Sequence, residues 1–191
     1  WEKLAVSIPG KVTERLSQLA IETGKWIVPG SMFERAEGKI YNTSIVLSPE
    51  GEMVAKYRKL FPWKPIEETA PGDAFCVFEI EGVGIFGLTI CYDIWFPEVV
   101  RSLVWMGAEV IIHPSLTTTS DRSLEHILVQ ANAISNQCFV IDINGIVSPF
   151  GGGTSIFVDP NGRILQKRDT SEAIMTEVLD LDTVRDTREY G

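Results

Sequence analysis

The segment that decides the fold runs from Val83 to Glu98 and reads VGIFGLTICYDIWFPE. Its first eight residues are apolar except for two glycines and a threonine, which predicts a buried strand ending just before Cys91. Pro97 is favoured at the first position of a helix, so the thiol lies between a strand and a helix. Open α/β sheets place reactive groups at such points, because helix starts offer unpaired N–H donors. The segment predicts a layered α/β protein with a candidate reactive thiol.

Hydrophobic periodicity and turn residues predict the other elements. The helices are expected from Pro9-Gly10 to Gly24, from Pro97 to Gly107 and over 122–136. The strands are expected at 26–31, in a hairpin over 40–56 with its turn at Ser48-Pro49-Glu50-Gly51, in a second hairpin over 75–90, at 109–113 and at 138–143. This order of elements is typical of the α/β (α+β) class.

An internal repeat links two of these segments at an offset of 111 residues. Thr43–Lys56 reads TSIVLSPEGEMVAK, and Thr154–Lys167 reads TSIFVDPNGRILQK. A shared turn between unrelated strands is the simpler explanation, but the fourteen aligned positions have a similar apolar pattern. We therefore expect two pseudo-symmetric halves, each contributing a sheet to a sandwich.

Composition restricts the class of function. The chain has 191 residues, 45% of them hydrophobic, and a net charge of −9 without a basic stripe, which argues against nucleic acid or an anionic membrane as partner. A small neutral or cationic ligand fits better. Three cysteines without a CxxC pair favour a reducing compartment, so we expect a cytoplasmic protein. No apolar run reaches the ~20 residues that a membrane helix needs.

Cys91 and Lys59 are the first candidates for chemistry. A free thiol with a pKa of about 8.5 is mostly protonated at neutral pH and needs a cation, a base or a helix start to become a nucleophile. Lys59 could stabilise both a thiolate and the oxyanion of a tetrahedral intermediate. From position alone, an inert buried thiol and an exposed strand-end lysine are the simpler interpretations of these two residues.

Other polar residues give weaker signals. Glu67 lies next to Glu68 in a proline-rich loop that could hold a general base or orient a lysine, although solvated loop charge is the simpler reading. His113 and His126 have no spacing that links them to Cys91, and we expect structural roles. The sequence contains no metal-ligand cluster. The glycines at 151–153 are expected to form a loop rather than a phosphate site.

Several ordered motifs together resemble the nitrilase, or carbon–nitrogen hydrolase, superfamily over nearly the whole chain. The resemblance is closest to its amidase-like and carbamoyl-hydrolase branches. The motifs are Gly30-Ser31 with Glu34-Arg35, Tyr41-Asn42-Thr43, Tyr57-Arg58-Lys59, Pro62-Trp63-x-Pro65-Ile66-Glu67, Cys91-Tyr92-Asp93-x-x-Phe96-Pro97-Glu98, Asn132 to Gln137, and Gly153-Thr154-Ser155.

The resemblance implies a four-layer αββα sandwich, paired into homodimers or higher oligomers, with a Glu-Lys-Cys site and no cofactor or metal. Cys91 would form a thioester with the substrate acyl group. Lys59 and the backbone N–H of Tyr92 would form the oxyanion hole. Glu67 would match the additional glutamate of amidase-like members.

Two departures from the family pattern stand out. The family's general-base glutamate lies in a Pro-Glu motif that would fall before residue 1, and the C-terminal dimer segment is missing too. We therefore interpret residues 1–191 as one carbon–nitrogen hydrolase domain that is incomplete at both ends. Asn132 and Ser135 stand where many members carry Arg and Glu, which affects a structural salt bridge.

The expected activity is cofactor-free hydrolysis of a small amide, releasing ammonia or an amine. Alternatives are a non-catalytic binding or regulatory domain of the same fold, an N-carbamoyl-amino-acid hydrolase, a nitrilase and an acyltransferase. Aromatic and hydroxyl side chains are the candidate walls of the substrate pocket, namely Trp63, Trp95, Ser115 and Thr117.

Overall fold

The computed structural model describes residues 1–147 and 151–190. Its contacts divide the chain into two compact units, Trp1–Phe78 and Glu79–Gly191. Both units combine helices with sheet, so the predicted mixed α/β class is confirmed. No helix in the described part of the chain is long and apolar enough to cross a membrane.

The first unit is a three-stranded antiparallel sheet with one long helix. Helix α1 spans Lys11–Thr23, and strands β1 Ser31–Ala36, β2 Lys39–Leu47 and β3 Met53–Arg58 pair in that order. The helix ends as predicted at Gly24, whose φ of 60° is left-handed. Its buried side packs through Ala20 on Ile45 and Leu47 of β2.

The predicted strand over 26–31 is wrong. Ile27 forms only an isolated bridge with Leu47, and the side chain of Trp26 is 37% exposed. Pro29 has no N–H to donate, and Gly30 has a φ of 93°, so the extended conformation is interrupted before β1 begins at Ser31.

The second unit carries a six-stranded sheet with order β11-β10-β7-β6-β5-β4. Its strands are β4 Val77–Ile80, β5 Gly84–Leu88, β6 Val110–Ser115, β7 Phe139–Asn144, β10 Ile156–Val158 and β11 Ile164–Lys167. Strands β5, β6 and β7 are parallel and are connected by α2 Pro97–Trp105 and α3 Arg122–Asn136. The predicted β-α-β-α-β order is confirmed, with Pro97 at the start of α2.

The glycines at 151–153 were expected to form a loop, but Gly151–Gly152 is strand β9, which pairs with β8 Ile146–Val147. A Cβ on Gly152 would lie 2.2 Å from the carbonyl oxygen of Gly145. The close approach of the two backbones therefore needs glycine, which has low strand propensity and so hides the strand from sequence patterns. Residues 148–150 and 191 lie outside the described residues.

Helix α3 has its predicted bounds, but its buried face is polar. Three of the apolar residues that predict the helix, Leu124, Ile127 and Ile134, are exposed, with Ile127 at 62%. The buried positions are Arg122, Glu125, Val129, Asn132, Ala133 and Asn136. The helix therefore turns polar groups toward the interior of the second unit.

The C-terminal helix α4, Asp182–Tyr190, has no strong sequence signal because most of its residues are polar. Its one buried side chain, Val184, packs on Val110 and Phe139 of the sheet. Hydrogen bonds from Gln137 to the carbonyl of Thr187 and from Arg188 to the carbonyl of Ala108 also hold this helix.

The internal repeat is confirmed by strand register. The β2–β3 hairpin has a register shift between Val46 and Leu47, and the β10–β11 hairpin has one between Phe157 and Val158. These pairs differ by the same offset of 111 that relates the two sequences (157 − 46 = 158 − 47 = 111). A β-bulge at equivalent positions indicates two copies of one hairpin rather than two similar turns.

The turn glycines of the repeat also occupy equivalent environments. Gly51 has a φ of 82° and Gly162 a φ of 81°. A Cβ on Gly51 would meet Ile21 of α1, and one on Gly162 would meet Ile134 of α3. Each hairpin turn thus packs on the helix of its own half, which confirms the predicted pseudo-symmetry.

Candidate active site

Lys59 directly follows strand β3, and its backbone is held on both sides. Its N–H donates to the carbonyl of Asn42 at 2.8 Å, and its carbonyl accepts from the N–H of Gly72 at 2.8 Å. Its side chain is only 1% exposed, in contrast to an ordinary strand-end lysine. A buried ammonium needs a partner of opposite charge, and Glu67 supplies it.

Four donors converge on the carboxylate of Glu67. Oε2 accepts from Lys59 Nζ at 2.5 Å and from the backbone N–H of Trp63 at 3.1 Å. Oε1 accepts from Asn42 Nδ2 at 2.8 Å and from Thr69 Oγ1 at 3.2 Å. With this many donors, the carboxylate is fixed in position.

The electrostatics favour an ionised Glu67. Burial raises the pKa of Glu67, but the charge of Lys59 and hydrogen bonds from Lys59, Asn42 and Trp63 outweigh it and hold this pKa below its usual value. Such a group accepts hydrogen bonds well and takes up a proton poorly. The arrangement therefore suits a carboxylate that orients Lys59. Glu68 is exposed, so of the two neighbouring glutamates Glu67 is the one that binds Lys59.

Trp63 contributes to this cluster through its backbone. Its N–H binds Glu67, whereas its side chain is among the exposed aromatic groups. The expected role of its ring as a pocket wall stays a prediction.

In the second unit, Cys91 has an unusual backbone. It opens the 3₁₀ helix Cys91–Trp95 with a φ of 49°, a left-handed conformation that costs a residue with a side chain roughly 1 kcal/mol. The carboxylate of Asp93, which is fully buried, accepts the N–H of Ile90 at 2.9 Å. This bond fastens the turn on both sides of the thiol. A five-residue 3₁₀ helix, and not the start of an α-helix, therefore presents the half-buried cysteine.

A cluster of polar side chains lies beside Cys91. Thr117 Oγ1 lies 3.9 Å from Cys91 Sγ, 3.2 Å from Ser115 Oγ and 2.8 Å from Glu125 Oε1. The indole N–H of Trp95 reaches the same Glu125 oxygen at 3.5 Å. Three of the four expected pocket residues, Trp95, Ser115 and Thr117, are thus brought together with the thiol.

The loop that carries Thr117 is anchored by Asn144 at the end of β7. The backbone N–H of Thr117 donates to Asn144 Oδ1 at 2.8 Å, and Asn144 Nδ2 donates back to the carbonyl of Thr117 at 2.9 Å. Asn144 Nδ2 also donates to the carbonyl of Gly153. These two hydrogen bonds hold the backbone of Thr117 in position.

Behind Thr117, Glu125 belongs to a buried ionic cluster. Arg122 donates to Glu125 Oε2 at 3.1 Å and makes two hydrogen bonds to Asp142. Burial lowers the pKa of Arg122, but Asp142 and Glu125 outweigh it and raise this pKa. Burial raises the pKa of Asp142 to about 6, against the opposing charge of Arg122.

The two histidines contact other groups. His113 is fully buried, with Nδ1 at 2.8 Å from Thr89 Oγ1 and Nε2 at 3.7 Å from Asp142 Oδ1. His126 contacts the carbonyl of Thr154. Burial is the main reason that the pKa of His126 lies below its usual value.

The three cysteines are free thiols in different environments. Burial raises the pKa of Cys138 to about 12, and it also raises the pKa of Cys76. Both are therefore poor nucleophiles at neutral pH. Cys91 is the thiol with polar side chains around it. Among residues 1–147 and 151–190, no group of three or more His, Cys, Asp or Glu side chains is placed to hold a metal ion.

The ring of Tyr92 packs edge-on against Phe96 and at a tilt against Trp95. The proposed use of its backbone N–H for an oxyanion stays a prediction from the resemblance. Sequence reasoning missed the residues that support the two clusters, namely Asn42, Thr69, Arg122, Glu125, Asp142 and Asn144. The local signal was the spacing of Arg122 and Glu125, which are one helical turn apart and can therefore form an ion pair. Their burial depends on partners on other elements, which the spacing does not show.

Comparison with known proteins places the chain in a family. The family model described as "Carbon-nitrogen hydrolase" matches residues 1–189. Omega-amidase NIT2 of Xenopus tropicalis is 32% identical over 204 residues, which is 99% of this chain and 74% of the relative. The human omega-amidase NIT2 is 30% identical over the same shares of both chains.

Solved structures agree. Saccharomyces cerevisiae Nit3, a member of branch 10 of the nitrilase superfamily, superposes with a TM-score of 0.88 at 29% identity, covering 97% of this chain and 71% of Nit3. A mutant amidase from Nesterenkonia sp. AN1 superposes with a TM-score of 0.75 at 27% identity, covering 83% and 62%. That structure shows covalent addition of the acetamide moiety of fluoroacetamide at the active-site cysteine. The predicted superfamily and fold are confirmed.

Proposed function

This chain belongs to the carbon–nitrogen hydrolase family, and on that premise we propose that it cleaves the carbon–nitrogen bond of a small amide. Cys91 is the nucleophile, and the acyl group is carried on its sulfur as a thioester. Lys59, held by Glu67, stabilises negative charge on the substrate oxygen. No cofactor takes part.

The proposed reaction has two halves. The Cys91 thiol transfers its proton to a general base as the sulfur attacks the amide carbon, and the resulting oxyanion is stabilised by Lys59 and the N–H of Tyr92. The base returns the proton to nitrogen, the carbon–nitrogen bond breaks, and ammonia leaves. Water then attacks the thioester and releases the acid with a free thiol. In this proposal the base is the glutamate of the Pro-Glu motif that the family pattern would put before residue 1.

The observation that carries the proposal is the buried ion pair between Lys59 and Glu67. A lysine with its backbone pinned at both peptide groups and its ammonium 2.5 Å from a carboxylate with four donors is preorganised. Preorganised charge is worth most in a site that excludes water, because no reorganisation is needed as the oxyanion forms.

The conformation of Cys91 gives further support. Strained backbone at a non-glycine residue persists where surrounding structure holds it, and such residues cluster at active sites. The Ile90–Asp93 hydrogen bond supplies that restraint. The covalent addition of the acetamide moiety of fluoroacetamide to the active-site cysteine of the Nesterenkonia amidase supports the assignment, because the cysteine of that relative reacts as a nucleophile.

The omega-amidase relatives make small aliphatic amides the first substrate class to test. Carbamoyl amino acids and nitriles are the alternatives within the family. An acyltransferase would instead pass the acyl group from Cys91 to an amine, so product formation would depend on an added acceptor.

The test is ammonia release from a panel of short amides, carbamoyl amino acids and nitriles, using the natural protein. We expect Cys91→Ala to abolish turnover, while Cys76→Ala, at the other half-buried thiol, retains it. Thermal melting of both variants checks that folding is intact. Substantial turnover by a folded Cys91→Ala protein would exclude the proposed nucleophile. A wild-type protein that binds panel members without turnover would favour a binding module.

We also propose that the protein is a cytoplasmic homodimer or higher oligomer. Three free thiols support a reducing compartment. Exposed apolar side chains on α2 and α3, including Trp105 and Ile127, offer surface for self-association. Sedimentation equilibrium of the natural protein tests the second point, and a monomer at micromolar concentration would contradict it.

A further inference from the structure

The Thr117 hydroxyl lies between Glu125 and the sulfur of Cys91, and its single proton decides how the three groups interact. Glu125 is 2% exposed, and its two oxygens face Thr117 and Arg122 respectively. As a carboxylate paired with a guanidinium it only accepts hydrogen bonds. The proton in the 2.8 Å contact between Thr117 and Glu125 therefore belongs to Thr117.

This assignment fixes the remaining contacts of Thr117. A hydroxyl has one proton to donate, so toward Ser115 and Cys91 the Thr117 oxygen can only accept. Ser115 donates in the 3.2 Å contact, and the thiol of Cys91 donates in the 3.9 Å contact. The S–H proton is thus directed at Thr117, and the sulfur lone pairs are directed elsewhere.

We propose that Glu125 is a positioning residue that acts through Thr117 to keep the resting Cys91 protonated and oriented. A thiolate at Cys91 would face a lone pair of Thr117 rather than a proton. Thr117 could donate to the thiolate only by giving up its hydrogen bond to the buried carboxylate. The network therefore favours the thiol until a base removes its proton, which protects an unoccupied enzyme from alkylation and oxidation.

Other charged and titratable groups of the second unit surround this network. Their partners are already assigned: Arg122 is bound to both Glu125 and Asp142, and Asp93 accepts the N–H of Ile90. Such groups on the neighbouring elements include Tyr92 and Asp93 in the 3₁₀ helix, Glu98 and Arg101 on α2, His113 on β6, Arg122 and His126 on α3, and Asp142 on β7. A through-space effect of charge must therefore be separated from an effect carried by the Thr117 hydroxyl.

The inference rests on the proposed role of Cys91 as the nucleophile, but it can be tested without measuring turnover. The rate of iodoacetamide alkylation of the Cys91 peptide is measured by mass spectrometry as a function of pH. In Glu125→Gln, Arg122 holds the amide oxygen, so the amide nitrogen faces Thr117 and donates to it. Thr117 is then free to donate to a thiolate. We expect the midpoint of the profile to fall by about 1–2 pH units, as the gain of one hydrogen bond to an anion would give.

The double-mutant cycle with Thr117→Val identifies the route. Thr117→Val should lower the midpoint by itself, Thr117→Ser should restore the wild-type profile, and Glu125→Gln should add nothing in the valine background. Glu109→Gln, which removes a carboxylate of the same unit outside this network, is the charge control and should leave the profile unchanged.

Two results would overturn the inference. One is an equal shift from Glu125→Gln with and without the Thr117 hydroxyl, which would assign the effect to charge alone. The other is no shift in either single variant. Should Glu125→Gln fail to fold by thermal melting, the valine and serine variants of Thr117 decide the matter by themselves. Loss of amide turnover in the wild type would count against the proposed reaction, while the alkylation profiles would remain readable.

Discussion

Lys59 Nζ lies 2.5 Å from Glu67 Oε2, and both side chains are buried in the first unit. The carboxylate accepts three further hydrogen bonds, so its position does not depend on the lysine alone. The ammonium, by contrast, has this carboxylate as its ion-pair partner. Glu67 therefore anchors the ammonium of Lys59, and we expect substitution of Lys59 to have a different effect from substitution of Glu67.

Replacement of Lys59 should slow amide hydrolysis. For Lys59→Ala we expect kcat for amide hydrolysis to fall by about 10²–10³-fold, the usual loss on removing an oxyanion donor. Lys39→Ala, at an exposed position on β2, is the control and should retain full activity. Steady-state kinetics with ammonia detection, on variants with matched melting curves, makes the comparison. An unchanged kcat would exclude Lys59 from oxyanion stabilisation.

The buried carboxylate of Glu34 should make stability depend on pH. Burial raises its pKa, but hydrogen bonds and charge from Arg58 and Lys56 outweigh it and lower it from 4.5 to about 2. Because its pKa is lowered on folding, ionised Glu34 adds up to about 3 kcal/mol to the free energy of unfolding above pH ~4.5. This contribution is lost as the pH falls toward 2. Urea unfolding from pH 6 to pH 3 should show a steeper loss for wild type than for Glu34→Gln.

The exposed turn residue Glu50 provides the control for this pH dependence. Glu50→Gln removes a carboxylate of the same unit from a solvated position, so its unfolding curve should follow that of wild type at each pH. Parallel curves for Glu34→Gln and wild type would show that Glu34 titrates alike in the folded and unfolded chain.

Gly72 should be sensitive because it closes the strand end that carries Lys59. A Cβ at this position would lie 2.2 Å from the carbonyl oxygen of Arg58, a backbone atom that cannot move aside alone. We expect Gly72→Ala to displace Lys59 and to lower both stability and kcat. Gly82→Ala, where a Cβ meets open space, should cost only the roughly 1–2 kcal/mol of its left-handed backbone and leave kcat unchanged. Equal kcat values for the two variants would refute this mechanism.

The cluster around Arg122 should be costly to disrupt. Asp142→Ala leaves a buried guanidinium with Glu125 as its remaining carboxylate partner, and breaking a buried ion pair in this way typically costs about 3–5 kcal/mol. Asp169→Ala, at an exposed site, should cost less than about 0.5 kcal/mol. Urea unfolding monitored by tryptophan fluorescence compares them, and similar midpoints would show that the cluster is not structurally important.

Much of the fold could be predicted because local pattern and packing agree. Helix α1, helix α3 and both repeat hairpins follow directly from periodicity and turn residues. The strand over 26–31 failed because Pro29 and Gly30 override an apolar pattern. The polar face of α3 could not be foreseen, since Glu125 and Arg122 are stable inside only through partners on other elements, which no local pattern shows.

The candidate site, like the fold, was predicted only in part from the sequence. Lys59, Glu67 and Cys91 were found through motif order, and the buried pair and strained cysteine are what the structure adds. The supporting residues Asn42 and Asn144 act through side-chain hydrogen bonds to segments distant in sequence. Such pairings depend on topology, so sequence alone could not identify them.

The most direct test of the account is acid-quenched mass spectrometry of the natural protein during turnover of a short aliphatic amide. The account predicts a covalent acyl group on the peptide that contains Cys91, absent before substrate is added and absent in Cys91→Ala. Turnover with the acyl group on Cys76 or Cys138 would contradict the account. So would turnover of the amide by Cys91→Ala without any covalent intermediate.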